Sequence, residues 1–320
     1  MRSALPVLTN KDLYVYKHSP NQWAMELFDL HENLHWLPEE VPLQDDIRNW
    51  SEQPEEFLRH IMLFFVQADV EVGNTYIDEY IPHYKDLPIR MMLTSFAARE
   101  SIHVKAYAHL VDTLNLGDGT YSAFLDDEVL YKLHKRMDFY RENAEGITGR
   151  YRGMVANTLL GEGVMLFGQF AMLLNYQRHN RFSGMGTLVA WSIRDEDLHV
   201  QGIAKLMKVD PQFSALPLRV KQQIYREVYD DLMPLIKTFA RNCFNHGKPE
   251  GITIEEVEQF LEFQAQRRAR QANIQEDEIS VVNPFLWFDQ LIGGVEHSNF
   301  FERRATEYSK NNLVGEYTYD

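Results

Sequence analysis

Two short sequences dominate the chemistry available to this chain: Glu100-Ser-Ile-His103 and Glu196-Asp-Leu-His199. On an α-helix, residues three apart share a face about one turn apart, so each Glu-x-x-His would present a carboxylate and an imidazole to the same spot. A single such pair reads equally well as a solvated helix face. Two pairs on separate long helical patterns form a constellation, and each is preceded by an acid in apolar surroundings. Asp69 follows eight uncharged residues, Ile61 to Ala68, and Glu162 is the one side chain charged at neutral pH among the 25 residues from Gly153 to Gln177. An isolated carboxylate is expensive to bury unless it is paired or ligates a metal. Solvent exposure or a buried salt bridge is the alternative for Glu162. Glu71, Asp78 and Glu79 share Asp69's stretch, so part of that helix must be wet.

Together these residues make four carboxylates and two histidines, one Asp or Glu plus one Glu-x-x-His per half. That is the ligand set of a dinuclear carboxylate site in a four-helix core. Two divalent ions carry a charge of about +4, which four carboxylates neutralise, so such a site can be buried. Mixed oxygen and imidazole ligation suits iron or manganese better than copper or zinc. Asp69 and Glu100 are 31 residues apart, and Glu162 and Glu196 are 34 apart. Each interval is one helix up, a turn, and one helix back to the same depth.

The elements that must position these groups are long helices. Periodicity predicts helices from Pro54 to Pro82, from about Pro88 to the Gly117–Gly119 region, and over roughly Ser122–Asn143 and Tyr151–His179. Further helices are expected from Thr187 through Met207, after a Ser-Gly-Met-Gly turn over Ser183–Gly186, and over Leu218–Phe244 and Ile254–Ala272, with an irregular tail from about Asp277. No alternating apolar–polar runs bounded by hairpin turns occur. The expected fold is all-α, a helical bundle in a single domain over residues 1–320, with an irregular segment over about 1–50. The formal net charge of −15, from 32 Lys and Arg against 47 Asp and Glu, argues against nucleic acid or an anionic membrane surface as partner. A single cysteine, Cys243, excludes an intrachain disulfide framework, a Cys-rich zinc site and an iron–sulfur cluster. With no secretory h-region at the N-terminus, a soluble cytoplasmic protein is expected.

From about Trp36 to Tyr308 the chain resembles the small, radical-generating subunit of class I ribonucleotide reductase, a ferritin-like family. The resemblance implies that Asp69, Glu100 and His103 hold one metal and that Glu162, Glu196 and His199 hold a second, Glu100 and Glu196 bridging. The metals would most readily be a di-iron pair, with manganese or a mixed Mn/Fe pair open. Tyr107, four residues after His103, falls at the family's radical tyrosine. His35-Trp36-Leu-Pro38-Glu39-Glu40 and Arg194-Asp195-Glu196 match the family's relay from a metal-bound histidine through an aspartate to a tryptophan, here His103, Asp195 and Trp36. Phe300-Phe-Glu302-Arg-Arg-Ala-Thr-Glu-Tyr308 resembles the C-terminal Glu and Tyr that pass oxidising equivalents to the large subunit. Leu313 to Asp320 would then be a flexible docking peptide, with Tyr317 and Tyr319 as anchors.

The positions that line the radical tyrosine in the family match Leu166, Phe170 and Ser192; the serine departs from the usual apolar lining. Some relatives store the oxidant on a manganese-containing pair instead, and both forms of storage stay open. The function implied is activation of oxygen at the metal pair and delivery of a one-electron oxidant to a large subunit that reduces ribonucleotides, in a homodimer. One cysteine agrees with this, since the reducing dithiol must lie elsewhere. Two other readings compete: a dinuclear-metal oxidase or oxygenase acting on a lipid or hydrocarbon, and a metal storage protein.

Overall fold

The computed structural model describes residues 19–52, 55–275 and 277–290. Glu302, Tyr308 and the expected docking peptide therefore lie outside the described residues, as does Pro54. Among the described residues there is no strand. The helices in order are α1 (Gln22–Asn33), α2 (Gln44–Glu52), α3 (Glu56–Thr75), α4 (Leu87–Thr113), α5 (Thr120–Ala123) and α6 (Glu128–Glu142). Then come α7 (Gly146–Met154), a π-helical stretch (Val155–Leu166) and α8 (Phe167–Arg178), which run on as one rod, and α9 (Ser183–Val209), α10 (Pro211–Ser214), α11 (Leu218–Asn245) and α12 (Ile254–Gln271).

Four long elements form the core expected of a bundle: α3 packs on α4, the 146–178 rod packs on α9, and α4 faces α9 across the centre. On the outside, α1 lies against α4 and α9, while α11 and α12 cover the rod. The rod is long and apolar enough to cross a membrane by composition, yet its most apolar window is wholly buried in the bundle. Local signals set the helix starts. Asp86 caps α4 by accepting from the Ile89 amide, with Pro88 in the first turn, where its missing N–H is not needed. Thr253 and Glu256 form a reciprocal capping box on α12.

The chain divides into two compact units, Met1–Pro284 and Phe285–Asp320; all elements named above belong to the first. The described part of the second is a helical turn over 286–290.

The structure departs from the expected elements in four places. The segment over 1–50, expected to be irregular, carries α1 and α2. The fully buried residues of α1 are only Ala24 and His31, too narrow a stripe to show as a period. The helix expected over 122–143 is broken, because Asp127 Oδ1 accepts from the Val129 and Leu130 amides and so starts α6 afresh. The rod begins at Gly146 rather than at the expected Tyr151, and takes in Gly146 and Gly149. At Gly149 a Cβ would stand 2.9 Å from the Asn143 carbonyl oxygen, so this glycine is there for close approach. Finally, Tyr76–Tyr80 and Val155–Leu166 are wound as π-helix, a rare geometry enriched at functional sites.

Candidate metal centre

All six expected ligand residues meet in the middle of the four-helix core. Asp69 comes from α3, Glu100 and His103 from α4, Glu162 from the π-helical stretch, and Glu196 and His199 from α9; each is at most 2% exposed. His103 Nδ1 lies 3.3 Å from Glu100 Oε2 and 3.1 Å from Glu196 Oε1. His199 Nδ1 lies 2.9 Å from Glu100 Oε1, 3.3 Å from Glu196 Oε2 and 3.4 Å from Glu162 Oε2. Glu100 and Glu196 thus each turn one oxygen to each histidine. Two overlapping groups result, Asp69–Glu100–His103–Glu196 and Glu100–Glu162–Glu196–His199, within each of which one donor atom per residue lies within 4.8 Å of the others.

The donor atoms fit a pair of cations better than they fit one another. Asp69 Oδ2, Glu100 Oε1, both Glu196 oxygens and His199 Nδ1 are buried without a hydrogen-bond partner, although several stand within 3.5 Å of an opposite charge. Close approach off the hydrogen-bonding direction is what side chains aimed at shared central points would give. Without cations the cluster must hold protons. Burial drives the Asp69 carboxyl well above the usual carboxylate range and pushes Glu162 up to about 7. Burial opposes charge on His103 and His199, but the surrounding carboxylates outweigh it and push both well above the ordinary imidazole value.

The hydrogen bonds behind the histidines orient them. Asp195 Oδ2 accepts from Trp36 Nε1 at 2.7 Å and from Arg99 at 2.8 Å, and lies 3.2 Å from His103 Nε2. Burial alone would raise the Asp195 pKa, yet His103 and Arg99 hold it below the usual range, so it is a carboxylate accepting from the imidazole. The Trp36 ring also stacks near His103, with centroids 6.0 Å apart. On the other side, the Ser95 hydroxyl donates to Glu32, so it accepts from His31 Nδ1 at 2.7 Å. Burial, with the charges of His199 and Arg99, pulls His31 down to about 2, leaving its Nε2 free to accept from His199 Nε2 at 3.3 Å. Both candidate ligand histidines therefore keep a proton on Nε2 and direct Nδ1 at the cluster. Glu162 is fixed by the Tyr76 hydroxyl at 3.0 Å and the Thr158 hydroxyl at 2.8 Å.

Tyr107 is 1% exposed, one turn beyond His103 on α4. Its ring stacks on Phe65 at 4.5 Å, which in turn stacks on Phe170 at 5.3 Å. Its hydroxyl has no hydrogen-bond partner, and neither has Ser192 Oγ. Burial and then the Asp69 charge push the phenol well above its ordinary value, with Ser192 near enough to offset this in part. Glu71 belongs elsewhere: it joins His134 and Asp138 in a part-exposed cluster that Arg141 already pairs.

Reading the sequence did not single out His31, Ser95, Arg99, Tyr76 or Thr158. Tyr76 was the most accessible of these, lying two helical turns beyond Asp69. The others are brought in by α1 or by side-chain direction, which spacing within one helix does not reveal.

The family model described as "Ribonucleotide reductase, small chain" matches residues 13–276. A probable ribonucleoside-diphosphate reductase small subunit of Invertebrate iridescent virus 3 is 32% identical over 311 residues, covering 91% of this chain and 82% of the viral one. Among solved structures, a putative class I ribonucleotide reductase from Bacillus halodurans aligns with a TM-score of 0.75 at 19% identity, covering 84% of this chain and 99% of that one. The dimanganese(II)-NrdF of Streptococcus sanguinis aligns with a TM-score of 0.75 at 15% identity, covering 86% and 97%. The two structures share the ferritin-like fold, and the family model and viral relative go further: this chain belongs to the ribonucleotide reductase small-chain family.

Proposed function

We propose that Asp69, Glu100, His103, Glu162, Glu196 and His199 hold two divalent metal ions, iron or manganese, with Glu100 and Glu196 shared between them. The observation that carries this is that each of those two glutamates faces both histidines. The chain is the small subunit of a class I ribonucleotide reductase, the enzyme that reduces ribonucleotides to deoxyribonucleotides. When bound, the metal pair supplies one-electron oxidising chemistry. Manganese gains support from the dimanganese(II) state named for the Streptococcus sanguinis neighbour, and the donor set suits iron equally.

The chain's own residues then have distinct tasks. Asp195 holds the proton on His103 Nε2 and accepts the Trp36 Nε1 proton, so loss of an electron from the indole has a base already in place at 2.7 Å. Arg99 keeps that base ionised. Phe65, Phe170 and Leu166 keep water from Tyr107, which stays protonated until an electron leaves it. Tyr107 is the storage site in this reading, and Glu302 and Tyr308 carry the oxidising equivalent onward, with the final residues docking the large subunit. Val70 and Ile77, two turns apart along the same helical rod, are exposed (36% and 56%) and suit a homodimer contact. Cys243 is free and buried, in keeping with a reducing, cytoplasmic setting.

An oxidase or oxygenase acting on a lipid finds less support. The apolar cavity beside α3 and α6, bounded by Phe64, Leu133, Met137 and Leu166, measures about 60 Å³. That is well below the roughly 300 Å³ of a small-molecule site. Metal analysis of the chain purified from its native source, followed by EPR, tests the proposal: two metals per chain in an exchange-coupled pair are expected, and a chain that takes up one or none overturns it.

A further inference from the structure

Arg268 is a large, charged side chain with no exposure at all, placed on α12 rather than on any of the four core elements. Its Nε donates to the carbonyl oxygen of Gly163 at 3.1 Å, and its NH1 donates to Asp197 Oδ1 at 3.0 Å and to Gln271 at 2.9 Å. The guanidinium carbon stands 4.5 Å over the Phe167 ring, at the end of the π-helical stretch. Gly163 follows Glu162 in the sequence, and Asp197 follows Glu196. One guanidinium thus grips the backbone next to one candidate ligand and the side chain next to another, on two different elements.

Room for that grip exists because residue 163 is a glycine. A Cβ there would stand 2.9 Å from Arg268 Cγ and 3.0 Å from Nε. Burial lowers the Arg268 pKa to about 10, so the side chain remains a cation at neutral pH. A buried cation without a task would be costly, and this one is held by directional bonds, which a planar fork makes better than an ammonium.

We propose that Arg268 is a positioning residue for the metal centre: it locks the π-helical stretch against α9 and so sets Glu162 at the right distance from Glu196 and His199. The proposal rests on the dinuclear reading above. It assigns to α12 a part in the site beyond covering the core.

The test is Mn(II) binding to the full-length metal-free chain, read by equilibrium dialysis and by the EPR spectrum of the loaded pair. Arg268→Met keeps the bulk and removes all three bonds, Arg268→Lys keeps the charge but not the fork, and Gly163→Ala pushes the guanidinium aside. Arg268→Met and Gly163→Ala are expected to bind one of the two Mn(II) equivalents about tenfold more weakly or worse. Their exchange-coupled spectrum should change, Arg268→Lys should fall between, and the double variant should be no worse than Arg268→Met. A folded Arg268→Met chain with wild-type affinity for both equivalents and an unchanged spectrum overturns the proposal. If Arg268→Met does not fold, the same result for Gly163→Ala overturns it. A wild-type chain that binds no Mn(II) pair overturns the dinuclear reading itself, which is a separate outcome.

Discussion

Trp36 Nε1 and Asp195 Oδ2 are joined by a 2.7 Å hydrogen bond that ties the loop after α1 to the middle of α9, across 159 residues of sequence. The same oxygen receives Arg99 and faces His103, so the indole is connected to the cluster through one carboxylate. Trp36→Phe removes that donor while leaving Asp195 paired with Arg99. Two metals per chain should remain, stability should fall by about 2 kcal/mol for a lost bond to a charged acceptor, and turnover with the large subunit should be lost. Full turnover in Trp36→Phe, assayed with saturating partner, would remove the indole from the route.

Glu162 and Glu71 offer a direct contrast between an acid inside the cluster and one outside it. Glu162→Ala deletes a donor facing His199 at 3.4 Å, whereas Glu71→Ala disturbs only the part-exposed group with His134, Asp138 and Arg141. Metal content should drop to half or less in the first and stay at two per chain in the second. Full dinuclear loading of Glu162→Ala would refute its role as a ligand.

Tyr107→Phe separates assembly from storage. The phenol oxygen has no partner, so its removal should leave stability unchanged or raise it by up to about 1 kcal/mol. Two metals should still bind, and any tyrosyl EPR signal should vanish. If the variant keeps full activity with the large subunit, the oxidant resides on the metal pair and not on this tyrosine.

The candidate ligand cluster was legible in the sequence because its information is local: Glu100 with His103 and Glu196 with His199 need only the i, i+3 geometry of a helix. The interval between each lone acid and its partner pair fixed the depth. What was not legible depends on winding and on approach from other elements. Nothing in Val155–Leu166 marks it as π-helix, and α1, whose His31 backs His199 directly and is itself tied through Ser95 to Glu32, has too narrow a buried stripe to be seen. Arg268 stands beside Arg267 and Arg270 on α12 with nothing local to set it apart; its seat in the core lies against a glycine more than 100 positions earlier, where a Cβ would meet its side chain.

The charge state of the metal-free cluster makes a prediction about pH. Burial raises the Glu162 pKa from an ordinary carboxyl value near 4.5 to about 7. A raised folded-state pKa means that the folded chain binds this proton more tightly than the unfolded chain does. The stability linked to it is fully present below about pH 4.5 and is lost as pH rises toward 7. Asp69, also raised by burial, acts in the same sense, while His103 and His199, which their carboxylate neighbours raise, keep their linked stability up to about pH 6.5 and lose it only above that. Metal ions take the deprotonated donors, so loading must expel these protons. His31, held down to about 2, acts in the opposite sense below about pH 6.5, so the test is comparative: in chelator, the melting temperature of Glu162→Gln should fall less, or rise more, between pH 5 and pH 7 than that of the wild-type chain, and saturating Mn(II) should remove the pH dependence that Glu162 contributes. Calorimetric titration in buffers of different ionisation enthalpy should show more protons released per metal pair at pH 6 than at pH 8, with tighter apparent binding at the higher pH. Equal proton release at both values would mean that Glu162 is already ionised in the metal-free chain.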